Sequence, residues 1–141
     1  MIEERARRRN NHYKCFVIMP FSESSPTRTE KYWTIHFEQF LKLEIQKVPN
    51  VEVQRSEELR ADIIREIIKD LYHSDIVVAD LTDLNPNVFW ELGVRQTLKS
   101  GTITIAEVGA VLPFDVSTKS TLFYYPGDDE RNKEFLNDLI K

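Results

Sequence analysis

Two stretches of this chain, CFVIMPF (15–21) and DIVVADL (75–81), limit what it can fold into more than any other feature. Successive side chains of a β-strand point to opposite faces, so a strand with almost no polar alternation has to be covered on both sides. Strands of that kind belong in a parallel sheet with helices on each face. The segments between them have the other periodicity. Trp33, Phe37, Phe40, Leu41, Ile45 and Val48 recur at helical spacing up to the breaker Pro49-Asn50. Leu59, Ile63, Ile64, Ile67, Ile68 and Leu71 form a second helical stripe, with Ser56 as its cap and Glu57 and Glu58 at its positive end.

VEVQRS reads as a short second strand, GTITIAEV as the fourth and STLFYYP as the fifth. Asn85-Pro86 is a helix start, an N-cap residue followed by proline at the first helical position, and it places a third helix from about Pro86 to about Ser100. DERNKEFLNDLIK closes the chain as an amphipathic helix. The expected fold is a three-layer α/β/α domain with a five-stranded, mainly parallel sheet in the flavodoxin-like order 2-1-3-4-5. It occupies residues 14–141, behind a basic arm over residues 1–13. In that order the chain reverses between strands one and three, and ligands bind beyond their carboxyl ends.

At 141 residues, with 41% hydrophobic and 11% aromatic content, the chain suits one domain with an ordinary core. Its net charge of −4 is uneven: residues 1–14 carry five basic and two acidic side chains, +3, which leaves −7 for the rest. So acidic a body is a poor general binder of nucleic acid, and the arm RARRRNNHYK reads as a solvated tail or the join to a partner region. No apolar segment follows the arginines as in a signal peptide, and no run approaches the ~18 residues of a membrane span. Cys15 is the lone cysteine, which fits a reducing cytoplasm. His12, His36 and His73 have no metal-ligand spacing, so no zinc is expected.

The loop after strand one, PFSESSPTRTE, has neither G-x-G-x-x-G for a dinucleotide nor G-x-x-x-x-G-K-[ST] for a triphosphate. It lacks the acidic pair of a phospho-accepting receiver and the glycines of a flavin phosphate loop, and no cofactor is expected. The crevice is left with a polar rim of Ser22, Asp80, Thr82, Asp83, Asn85 and Asn87 and aromatic walls from Phe21, Tyr32 and Trp90. In VFWELG, Glu91 stands among apolar neighbours, where a carboxylate is costly unless compensated or kept for a task. Gly93, inside the same helix, reads as a point of close approach. A carboxylate beside hydroxyl- and amide-binding groups and flat apolar faces is what a nucleoside requires. Breaking an N-glycosidic bond creates an oxocarbenium ion that an adjacent anion stabilises or attacks.

These residues carry a resemblance. CFVIMPF, then IIREIIKDLYHSDIVVADLTDLNPNVFWELGVRQTLKSG, then PFDV resemble the nucleoside 2-deoxyribosyltransferase-like superfamily, in particular its bacterial TIR-like branch, over roughly residues 14–126. The resemblance implies an N-glycosidase of the cytoplasm in which Glu91 is the nucleophile at the anomeric carbon. It places Asn85, six positions earlier, against the sugar or the attacking group, where an aspartate or serine is more usual. The base-handling aspartate has only Asp62 and Glu66 as candidates. Phe21, Ser22, Asp80, Asp83, Asn87 and Trp90 complete the expected substrate contacts, with no metal. The substrate would be a small nucleotide or NAD, cleaved by a homo-oligomer formed on activation, as a bacterial defence or signalling effector. The alternative is a TIR-like module that binds a nucleotide or self-associates without turnover.

Overall fold

The computed structural model describes residues 12–55, 63–112 and 121–140. Five strands form one sheet in the order β2-β1-β3-β4-β5, and all four pairings are parallel. They are β1 (Tyr13–Ile18), β2 (Val51–Arg55), β3 (Ile76–Asp80), β4 (Thr102–Glu107) and β5 (Thr121–Tyr124). The expected three-layer architecture and strand order are those observed. Tyr13, assigned from sequence to the basic arm, is buried as the first residue of β1.

Helix α1 is α-helical over Glu30–His36, widens to a π-helical turn at Phe37–Leu41, and closes as an α-helix over Lys42–Ile45. It is followed by α2 (Ile63–His73), α3 (Pro86–Leu98) and α4 (Asn132–Ile140). The sheet divides the core in two. On one face Val17, Met19, Val78, Ile105 and Tyr124 pack against Trp33, Phe37 and Leu41 of α1 and Phe135 and Leu139 of α4. On the other, Phe16, Ile18, Val77, Ala79 and Ala106 pack with Leu71 of α2 and Val88 and Leu92 of α3. The period-2 alternation of β1 and β3 thus feeds both cores, as their unbroken apolar runs require.

The second helical stripe is narrower than its sequence pattern. Ile67 and Leu71 face the core, whereas Ile64 is 60% and Ile68 38% exposed, because α2 meets its neighbours along only part of its apolar arc. Leu59, Asp62 and the Ser56-Glu57-Glu58 start signal lie outside the described residues. No described helix is long and apolar enough to cross a membrane.

Candidate functional site

Helix α3 starts where its cap signal places it. Asn85 Oδ1 accepts from the backbone N–H of Asn87 at 2.9 Å and of Val88 at 3.3 Å, and Pro86 opens the first turn. The far end of the helix is fixed by Arg95, which is fully buried and donates to the carbonyls of Leu71, Ser74, Asp75 and Ser100. Four carbonyls, one from the last turn of α2, two from the connection after it and one from the connection before β4, converge on that guanidinium, so α3 is tied to the C-terminus of α2 and to the entry of β4. Val88, Glu91, Leu92 and Arg95 make up its buried side.

Glu91 is therefore not a solvent-facing helix residue: it is 4% exposed, one turn from Arg95 on the inner face. Its Oε2 is buried with no hydrogen-bond partner among the described residues. Burial alone pushes the carboxyl up to about 7. A group so placed changes charge near neutral pH, the range in which a carboxyl can serve as either anion or acid. Gly93 does not mark a close approach among the described residues, since a side chain at that position would have no described atom within 4 Å. Trp90, the next residue outward, is 45% exposed and available as a wall.

Asp80 is not placed to touch a ligand. Alternation along β3 sends Ala79 to the α3 side and Asp80 to the opposite side with Val78, where it is fully buried. Its Oδ1 accepts from the backbone N–H of Thr82 at 3.0 Å; its Oδ2 accepts from His36 Nε2 at 3.0 Å and from the Tyr124 hydroxyl at 2.8 Å. Burial works to raise this carboxyl, but the hydrogen bond and charge of His36, joined by Thr82, hold it below its usual value. Thr82 Oγ1 lies 3.3 Å from the Tyr124 hydroxyl and accepts from the backbone N–H of Glu107. Asp80 thus knots the carboxyl ends of β3, β4 and β5 to α1.

Asp83 is also engaged within the protein. Its Oδ1 accepts from Arg28 Nη1 at 2.7 Å and its Oδ2 from the Ser24 hydroxyl at 2.7 Å, while Arg28 also pairs with Glu107 at 2.7 Å. Ser24 in turn accepts from Trp33 Nε1. This strap crosses the switch point, joining the loop after β1 to the loop after β3 and the end of β4. The turn that presents Asp83 is strained, with φ of 66° at Asp83 and 51° at Leu84. Of the other expected contacts, Ser22 and Asn87 are exposed and Phe21 and Asn85 half-buried at the carboxyl ends of β1 and β3.

The sequence reading missed Arg28, His36, Glu107 and the hydroxyl of Tyr124. His36 carried a signal: it falls on the same helical face as Trp33, Phe37 and Phe40, a polar residue in an apolar stripe. Arg28 carried none, since its partners are 55 and 79 residues away.

No family model matches the chain, and no curated protein matches it. Among solved structures it is similar to a 2-deoxyribosyltransferase from the psychrotolerant bacterium Bacillus psychrosaccharolyticus, at 17% identity over 91% of this chain and 90% of that one, with a TM-score of 0.60. With its parallel sheet in the order 2-1-3-4-5 between helical layers, the chain has the nucleoside 2-deoxyribosyltransferase-like fold.

Proposed function

We propose that this protein breaks the N-glycosidic bond of a nucleoside, a nucleotide or NAD, with Glu91 acting at the anomeric carbon. The observation that carries the reading is the buried Glu91 oxygen with no described partner, in the second turn of the helix that follows β3. A buried acceptor left unsatisfied costs ~1–3 kcal/mol, and function is a reason for a fold to retain it. The similar protein is a 2-deoxyribosyltransferase characterised as a biocatalyst for nucleoside synthesis, which supports glycosyl transfer as the reaction class.

Ionised Glu91 attacks or electrostatically stabilises C1′ as the bond to the base breaks, and the bonding electron pair leaves with the base. Water or a second base then takes the glycosyl group. Asn85 spends its carbonyl oxygen on the helix cap and retains its amide N–H groups for the sugar. Phe21 and Trp90 supply apolar faces, and Ser22 and Asn87 a polar rim. Asp83, bound to Arg28 and Ser24, holds the rim in shape and is a positioning residue.

A neutral purine or pyrimidine requires a positioned acid to protonate it as it leaves, whereas nicotinamide is already cationic at the bond in NAD and needs no proton. Glu91 is the described acidic group available on the inner face of α3, and it is already committed to the sugar. This favours NAD-type substrates, and with them the TIR-like branch and an effector role in bacterial defence or signalling. The test offers NAD, deoxynucleosides and nucleoside monophosphates at equal concentration and follows products by chromatography. Nicotinamide released fastest supports the NAD reading. Adenine or a pyrimidine released fastest reverses the preference, and no release from any substrate rejects turnover.

A further inference from the structure

On the face of the sheet away from α3, α1 and the end of β5 enclose a cavity of about 290 Å³. Aromatic rings form one side of it, Tyr32, His36 and Phe40 from α1 and Tyr124 and Tyr125 from the end of β5, while Asp129 and Asn132 place a carboxylate and an amide on the other. Tyr32 and His36 are nearly parallel, 9° apart in plane with centroids 6.2 Å apart, and His36 stacks on Tyr124 at 5.0 Å. His36 is fixed from behind by the buried Asp80, which accepts from Nε2. That leaves Nδ1 as its remaining polar atom, with no partner among the described residues. The exposed Gln39 adds an amide able both to donate and to accept.

The backbone is adapted at the same place. The π-helical turn Phe37–Leu41 begins immediately after His36 and contains Gln39 and Phe40. Such turns are rare in α-helices and concentrate at functional positions. Here the turn brings Gln39 and Phe40 to the cavity while Phe37 and Leu41 stay in the core.

We propose that this cavity is a second ligand site, separate from Glu91, that binds a single planar heteroaromatic ring system of the nucleobase class. The half-buried rings of Tyr32, Phe40 and Tyr125 can take a flat π-system by stacking, with the fully buried Tyr124 and the His36 stacked on it forming the floor, and the imidazole Nδ1 and the Gln39 amide match a ring edge carrying both donors and acceptors. The volume falls just under the ~300 Å³ at which ligand pockets begin, so it holds one base, with its sugar at most, and not a dinucleotide. The proposal does not rest on turnover at Glu91, because Asp80 and His36 face away from α3.

The test is amide-resolved NMR titration of the full chain with adenine, cytosine and nicotinamide, each as free base, nucleoside and 5′-monophosphate. Saturable shifts at the Gln39 and Gly127 amides with any of these forms are expected, the tightest form identifying the physiological one. Tyr32→Ala and Gln39→Ala, at half-buried and exposed positions, weaken that binding by about tenfold or more for the tyrosine and less for the glutamine, with the melting transition retained. Glu91→Gln leaves it unchanged. The proposal is overturned if no form produces saturable shifts at those amides, if the shifts are confined to residues 85–95, or if p-cresol binds as tightly as the best base. That last result would mark a merely apolar hole.

Discussion

Arg28 Nη1 sits 2.7 Å from Asp83 Oδ1 and so ties the loop leaving β1 to the loop leaving β3, across the point where the sheet reverses direction. Both side chains are about four-fifths buried, at 23% and 18% exposed, so the pair is shielded from the screening that makes surface ion pairs weak. A double-mutant cycle of Arg28→Ala and Asp83→Ala in urea unfolding is expected to give a coupling energy of about 1–2 kcal/mol. A coupling under ~0.3 kcal/mol would show that the strap does not hold the crevice.

The strained turn beside that pair gives a second expectation. Leu84 is 43% exposed with φ of 51°, a left-handed conformation that a leucine adopts at a cost and an asparagine tolerates. Leu84→Asn should raise stability by about 0.5–1 kcal/mol, read as an increased urea midpoint at unchanged slope. A lowered midpoint would mean that the leucine packs against something that offsets its backbone strain.

Glu91 links stability to pH with a defined sign. Its folded value of about 7 lies above the ordinary 4.5, so the folded state holds the proton more tightly than the unfolded chain does. The contribution is fully present below pH 4.5 and is lost as pH rises through about 7. The loss amounts to about 3 kcal/mol. Glu91→Gln, which never ionises, should unfold at higher urea than the parent at pH 8 and at nearly the same urea at pH 4. Equal midpoints at pH 8 would show that the carboxylate is compensated in the fold.

Asp80 has the opposite sign. Its carboxyl is held below the ordinary value of 3.8, so its stabilisation is present above that pH and is lost as pH falls through the folded value. Asp80→Ala strands His36 and the Tyr124 hydroxyl in the interior and should cost about 3–5 kcal/mol, measured by calorimetry. Burial and the neighbouring Asp80 charge push the Tyr124 hydroxyl up, so it stays a donor throughout the accessible pH range. A cost under 1 kcal/mol would show that the three-way knot is incidental.

How far the sequence could be read follows from the range of the interactions involved. The parallel sheet between two helical layers was legible because CFVIMPF and DIVVADL must be covered on both faces, its strand order because five such strands favour the flavodoxin-like arrangement, and the start of α3 because Asn85 and Pro86 are adjacent and act on the first turn. The burial of Glu91 was legible from its place beside Val88, Leu92 and Arg95 on one helical face. Asp80 was misplaced as a ligand contact because a position at a strand end does not reveal the phase of the alternation. Only the packing of Val78 on α1 and Ala79 on α3 fixes that phase. The Arg28 strap and the π-helical turn after His36 depend on tertiary partners and leave no local pattern.

Whether Glu91 acts on the glycosidic carbon is decided by the pH dependence of base release from the fastest substrate of the panel, for the parent and for Glu91→Gln. If Glu91 acts as the anion, kcat/KM of the parent climbs with pH through about 7, where the buried carboxyl loses its proton. Glu91→Gln then falls by at least ~10²-fold and loses that dependence while remaining folded. Glu91→Gln turning over within a few-fold of the parent, with the same pH profile, would contradict the account.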